Sequence, residues 1–159
     1  MIIDTKKAQQ AILKAWQKTI PDEPLVMAEG KFVSITPYAL ADIGRHPFRT
    51  DVFKDLTKAY SNCLGVPKAE NEADMTDEIT IHKGTQYRKV VRKLDKRVAW
   101  LNVEVMKFIS KNSKPKWYLV TQTSLGGRDR LVVQASEAST VPYVELMSLA
   151  LELKEGEGK

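Results

Sequence analysis

Residues 83–97 hold the densest group of basic side chains in the chain, and side chains of this type in such a group can bind phosphate. The segment has seven lysines and arginines against one acidic residue, Asp95, for a net charge of +6, whereas the whole chain has +5. Basic residues that neutralise phosphates release condensed counterions, so the cluster predicts salt-dependent binding of nucleic acid. The basic residues of the segment are Lys83, Arg88, Lys89, Arg92, Lys93, Lys96 and Arg97.

A long amphipathic helix is predicted to position this cluster. Apolar residues recur over 87–108 at alternating steps of four and three, the repeat of one helix face. A helix of about 26 residues that follows Gly84-Thr85 and ends near Asn112 would be roughly 39 Å long, with its apolar flank in the core and its basic flank open to a polyanion. The apolar positions are Tyr87, Val91, Leu94, Val98, Leu101, Val105 and Phe108.

A basic hairpin is predicted to extend the same surface. Residues 116–123 and 130–136 are rich in β-branched and aromatic residues, with a turn-forming segment between them. From 83 to 130 we count thirteen basic and three acidic residues, a net charge of +10. An exposed tryptophan here could stack on an unpaired base. The nucleic-acid-binding residues predicted on the hairpin are Lys114, Lys116, Trp117, Arg128 and Arg130. These predictions have alternatives. The basic residues could simply form a solvated face, and the tryptophan could be buried.

The acidic segment 66–78 lies just before the basic cluster and has a net charge of −4. Polar stretches of this kind between periodic segments are usually solvated loops. An alternative is that the segment folds back on the basic residues and competes with an anionic ligand.

The four-three repeat also supports a function of another class. Helices with such a repeat pair with other helices, within a monomer or across a two-fold axis. The alternative hypothesis is therefore a small protein-interaction or inhibitory module, of the kind common among phage and mobile-element products. It would bind an acidic protein through its basic face and could form a homodimer through the 87–108 helix. Protein binding should be discriminating and less sensitive to salt than nucleic-acid binding.

Sequence signatures of enzymes are mostly absent. There is no Gly-rich phosphate loop, dinucleotide fingerprint or His-Glu-x-x-His pair. Pro21-Asp22, followed by Glu29 and Lys31, is similar to the Pro-Asp … Asp/Glu-x-Lys arrangement of metal-dependent nucleases, in which two carboxylates hold a divalent cation. The six residues between the carboxylates are few for adjacent strands, and Glu-Gly-Lys is equally a hairpin turn. We expect no catalytic residues, no metal and no cofactor.

Length and composition predict one folded domain. The chain has 159 residues, of which 43% are hydrophobic and 28% charged. No apolar run approaches the roughly 18 residues of a membrane helix. The single cysteine, Cys63, cannot form an intrachain disulfide, so we expect a cytoplasmic protein with no membrane partner.

The fold class predicted is α+β: a single compact domain over 1–154 with an acidic loop at 66–78 and a flexible tail at 155–159. About five helices, one of them long and amphipathic, would pack on small antiparallel β-hairpins. Besides the long helix, the predicted helices span about 4–19, 36–44, 50–64 and 139–153, and the other predicted strands span 25–28, 31–35 and 79–82.

Overall fold

The structure, a computed structural model, describes residues 2–18, 25–28, 32–36, 38–43, 53–55, 63, 65–123, 129–137 and 143–153. These residues form one α-helix, α1 (Thr5–Lys18), short 3-10 helices and ten strands. The strands are β1 (Leu25–Ala28), β2 (Phe32–Thr36), β3 (Ala39–Asp42), β4 (Phe53–Asp55), β5 (Glu72–His82), β6 (Thr85–Arg92), β7 (Val98–Asn102), β8 (Pro115–Thr123), β9 (Asp129–Glu137) and β10 (Val144–Ala150).

All ten strands belong to one sheet, in the order β4-β1-β2-β3-β10-β9-β8-β5-β6-β7. Every neighbouring pair is antiparallel except β1 and β4, which run parallel. The backbone of Trp100 in β7 exchanges two hydrogen bonds, of 2.8 and 2.9 Å, with Leu151 just after β10. Because β7 is the last strand in the order and β10 lies near the middle, the sheet curls until β7 returns to the end of β10.

The core lies on both faces of β10. Successive side chains of a strand point to opposite faces, so Leu146 and Met147 enter two different clusters of buried apolar residues. The larger cluster, with Leu101 and Leu119, fills the inside of the curled sheet, while the smaller one includes Phe32.

The helix predicted near the start of the chain is confirmed as α1. Asp4 caps it by accepting a hydrogen bond from the Lys7 backbone N–H at 3.1 Å, and Ala8 and Ile12 are fully buried. The residues before α1 are also held in place, since the Ser110 N–H donates to the Ile2 carbonyl at 2.7 Å.

The prediction of a long basic helix that follows Gly84-Thr85 and ends near Asn112 is wrong. The segment forms β6, a turn, β7 and a 3-10 helix, Val103–Phe108. Val90 and Ala99, which the helical repeat leaves out, are fully buried and lie opposite each other across β6 and β7. Sheet pairing that buries these residues therefore prevails over the helical spacing of their neighbours.

The predicted α+β class, with about five helices on small hairpins, is wrong as well, because the described residues form a mainly antiparallel sheet with α1 as the one α-helix. Residues 39–42 and 144–150 are strands rather than helices, and 72–78 of the expected acidic loop begin β5. In the predicted helix 50–64, residues 53–55 form β4. The rest of that segment, apart from Cys63, and the tail 155–159 lie outside the described residues.

Two other predictions are confirmed. Strands occur at Leu25–Ala28 and Phe32–Thr36, close to their predicted positions. The predicted hairpin of residues 116–136 is the β8–β9 pair, which is in register from Pro115 with Glu137 to Thr123 with Asp129. Its turn, residues 124–128, is outside the described residues.

Candidate interaction surface

The β5–β6 hairpin contains four of the twelve residues that the sequence predicts to bind nucleic acid: Lys83, Arg88, Lys89 and Arg92. A two-residue turn joins its strands, with His82 opposite Thr85, and Lys83 and Gly84 both have left-handed backbone φ angles, of 50° and 79°. This is the geometry of a type I′ turn, whose twist matches that of the strands. The His82 and Tyr87 rings are in edge contact near the tip, with centroids 6.5 Å apart.

A bulge divides this hairpin into two halves. Met75 lies opposite Val90 and Ile79 opposite Arg88, so three residues of β5, 76–78, face the single residue Lys89. The Thr76 hydroxyl donates to the Lys89 carbonyl at 2.9 Å and accepts from the Glu78 N–H at 3.2 Å. The bulge is therefore fixed by hydrogen bonds within the hairpin and is an ordered part of the strand.

Two of the predicted nucleic-acid-binding residues stabilise this bulge. The Arg88 guanidinium donates to the Thr76 carbonyl and forms an ion pair with Asp77 at 2.6 Å. The Lys89 ammonium lies 3.0 Å from the Glu78 carboxylate. These cations are thus neutralised by the acidic segment that precedes them in sequence.

The basic residues at the other end of β6 also form ion pairs with acidic residues. Arg92 pairs with Asp95 at 2.6 Å and Lys93 with Glu72 at 2.9 Å. The Lys93 ammonium, through its hydrogen bond, lowers the pKa of Glu72, and Glu72 in turn raises the pKa of Lys93. Lys116 also lies 3.7 Å from Glu72, and Arg97 pairs with Glu152 at 3.3 Å. The acidic residues of β5 therefore do fold back on the basic cluster.

The remaining predicted site residues do not assemble into one surface. Lys83 and Lys96 are exposed and make no ion pair with a described residue, but they flank opposite ends of β6, roughly 25 Å apart along the strand. Lys114 and Arg130 are exposed with no ion pair in the described ranges. Trp117 is 6% exposed and lies in the larger core cluster. Arg128 lies outside the described residues, as do Asp22, Glu29 and Lys31.

The feature that the sequence interpretation missed is an exposed apolar pair on β5, between the bulge and the turn. Ile79 and Ile81 are 47% and 54% exposed, and both lie on the same face of the strand. The signal was present in the sequence, since residues 79–82 alternate isoleucine with polar residues directly before Lys83-Gly84. The sequence predicts a strand there, but a strand prediction alone assigns its isoleucines no function.

The same two isoleucines lie on a strand edge that pairs with no other described strand. β5 pairs with β8 only at Glu72 and Ala73, and no described residue pairs with its outer edge beyond that point. In a hairpin with a two-residue turn, the residues that flank the turn exchange hydrogen bonds, and the pattern then alternates. The backbone N–H and C=O groups of Ile79 and Ile81 consequently point away from β6. We call this outer edge, over residues 79–82, the β5 edge.

Comparison with known proteins gives no family for this chain: no protein-family model matches it, and neither curated proteins nor solved structures include a significant match. Within the described ranges, no group of three or more histidine, cysteine, aspartate or glutamate residues is placed to hold a metal ion. No helix among the described residues combines the length and apolar character needed to cross a membrane.

Proposed function

We propose that this chain is a non-enzymatic protein-binding module whose partner adds an extended strand to the β5 edge. The observation that carries the proposal is that Ile79 and Ile81 combine exposed apolar side chains with backbone groups directed to an edge that no described strand occupies. In strand addition, main-chain hydrogen bonds supply affinity and alternate side chains supply specificity. The partner segment should be extended and apolar at alternate positions.

The rigidity of the hairpin supports this function. The fixed bulge and the type I′ turn hold residues 79–82 in the extended conformation before any partner arrives. Binding to such a preformed edge costs less conformational entropy than ordering a mobile segment.

Ion pairing favours a protein partner over nucleic acid. Among the basic residues 83–97, those on β6 and around its following turn mostly have acidic partners in the structure, at 2.6 to 3.3 Å for the closest contact of each. A cation must give up or share such a partner to bind phosphate, which weakens the electrostatic contribution that nucleic-acid binding depends on. We propose the cytosol as the compartment, since a chain with one cysteine needs no oxidising environment.

Site-specific photo-crosslinking tests the proposal. Gln86 is exposed on β6, directly opposite Ile81, so a photoreactive amino acid at position 86 probes the β5 edge while leaving both isoleucines in place. Illumination in cells that express the full chain should give a discrete protein adduct. Introducing Ile81→Lys into the same protein should remove that adduct, because a charged side chain then faces the apolar contact.

Position 94 provides the matched control. Leu94 is 76% exposed but lies in the turn at the other end of β6, so a photoreactive residue there should not give the same adduct. Equal crosslinking from both positions would contradict the proposal. Saturable, salt-dependent binding of labelled oligonucleotides without any protein adduct would instead support the nucleic-acid alternative.

A further inference from the structure

We propose that the partner at the β5 edge is a second copy of this chain, so that two β5 strands pair antiparallel about a two-fold axis at Thr80. This inference rests on the proposed function, because it names the occupant of the same edge. A symmetric pair places the same surface of both copies in contact, so the edge must be complementary to itself.

The alternation of backbone groups selects the register. With Thr80 opposite its own copy, Ile79 of one chain lies opposite Ile81 of the other, and both residues direct their N–H and C=O groups across the interface. Each of these two facing pairs can exchange two hydrogen bonds, which gives four in total. The arrangement satisfies the outward backbone groups of both isoleucines in both copies.

The same register brings the exposed apolar side chains together. Directly opposite residues of an antiparallel pair share a face, so Ile79 and Ile81 of both chains form a single cluster of four β-branched side chains. Registers shifted by two residues would place one isoleucine of each chain opposite residue 77 or 83, which are charged. Only the register centred on Thr80 brings all four isoleucines into one cluster.

Charge complementarity supports the same arrangement. The two-fold axis at Thr80 brings Lys83 at the tip of one hairpin beside the bulge residue Asp77 of the other copy. Lys83 makes no ion pair with any described residue of its own chain. Asp77 is fully exposed although it already pairs with Arg88. Each end of the paired strands therefore combines a cation with an anion.

The bulge also limits the length of the interface. Bulges and charged residues on an edge strand prevent pairing from extending along it. Asp77 and Glu78 therefore confine pairing to residues 79–81, and a two-fold pair occupies the edge of both copies, which closes the assembly at two. So small an interface should dissociate in the micromolar range, on the order of 10–100 µM.

Sedimentation equilibrium of the full chain from about 10 µM to 1 mM tests the inference. The wild-type protein should pass from monomer to dimer over this range, and Ile81→Lys should weaken the dimer by roughly 10-fold or more, because like charges are then brought into the cluster. Leu94→Lys, with the same change in composition at a site remote from the edge, should dimerise as the wild type does. Circular dichroism checks that both variants are folded.

Disulfide trapping gives a second readout with a minimal change at the edge. In the proposed register the two Thr80 residues form a non-hydrogen-bonded pair, whose Cα atoms lie about 4.5 Å apart, within the range that a disulfide spans. Thr80→Cys should therefore give a covalent dimer under mild oxidation at a protein concentration near the expected dissociation constant. Leu94→Cys, which also retains the buried Cys63, should do so much more slowly.

The possible outcomes separate the two proposals. A monomer at 1 mM overturns the second-copy inference. So does a dimer that Ile81→Lys does not weaken and that Thr80→Cys does not link covalently. If position 86 then crosslinks to a different protein, the protein-binding function stands with another partner. If neither a dimer nor a crosslinked protein is found, both proposals fail.

Discussion

The Arg92 guanidinium forms a bidentate ion pair with the Asp95 carboxylate across the turn between β6 and β7, with nitrogen–oxygen distances of 2.6 and 2.9 Å. A third guanidinium nitrogen donates to the Leu119 carbonyl at 3.2 Å. Arg92 thereby connects this turn to β8. Lys96, in the same turn, has a left-handed φ of 60°, a backbone conformation that residues other than glycine rarely adopt.

Asp95 should stabilise the fold in a pH-dependent way. The Arg92 guanidinium holds the pKa of the Asp95 carboxyl well below its ordinary value of 3.8. A carboxyl group whose pKa is lowered on folding contributes stability above its unfolded pKa and loses that contribution as the pH falls through the folded value. Asp95→Asn should therefore lower the free energy of unfolding at pH 7, and its difference from wild type should shrink below about pH 3.8.

Urea denaturation at a series of pH values measures this difference. Glu104→Gln, at another exposed site, serves as the control for removing one carboxylate. A destabilisation of the Asp95→Asn protein that stays constant from pH 7 to pH 2 would show that the ion pair does not contribute.

Glu145 on β10 should have the opposite pH dependence. Burial raises the pKa of this carboxyl group, although it accepts a hydrogen bond from the Ile2 N–H at 2.9 Å. The folded chain thus binds a proton more tightly than the unfolded chain, so stability falls as the pH rises from the ordinary glutamate value of 4.5 through the folded pKa. Glu145→Gln keeps the acceptor oxygen and should remove this part of the decline, as measured by thermal denaturation between pH 4 and 8. An unchanged slope would contradict the assignment.

Cys63 should be inert to thiol reagents in the folded protein. The residue is fully buried, and desolvation raises the pKa of its thiol to about 11. Because the thiolate is the nucleophile, both effects slow alkylation at pH 8. Mass spectrometry should find Cys63 unmodified by iodoacetamide until urea unfolds the chain, while the cysteine of a Leu94→Cys variant reacts at once. Rapid labelling of Cys63 under native conditions would argue against its burial.

Several elements were predicted correctly because residues close in sequence determine where they begin and end. Asp4 ahead of an apolar periodicity marks the start of α1, and β-branched residues on either side of a turn mark the β8–β9 hairpin. β10 contains leucine, methionine, alanine and glutamate, which are good helix formers. It is nevertheless a strand because Leu146 and Met147 are buried on opposite faces, a requirement set by distant strands.

The candidate site was hidden from the sequence for a related reason. The basic residues of β6 and the acidic residues of β5 were each visible, but only strand pairing shows that Arg88 meets Asp77 and Lys89 meets Glu78. The helical repeat over 87–108 led to an interpretation in which these cations faced solvent. A glycine following Lys83, between two β-branched stretches, was the local evidence for a hairpin instead.

The type I′ turn should govern the stability of the β5–β6 hairpin. Gly84 has a φ of 79°, and an added Cβ would meet no atom within 4 Å, so Gly84→Ala tests the backbone conformation alone. This substitution should lower the free energy of unfolding by about 1 kcal/mol, the usual penalty for a side chain in the left-handed region.

Lys83 already bears such a penalty at a φ of 50°, and asparagine is the residue that type I′ turns prefer there. Lys83→Asn should therefore raise the free energy of unfolding by roughly 0.5 kcal/mol. Urea denaturation at low micromolar protein, where the chain is expected to be monomeric, measures both changes. Equal effects of the two substitutions would mean that a different turn joins the strands.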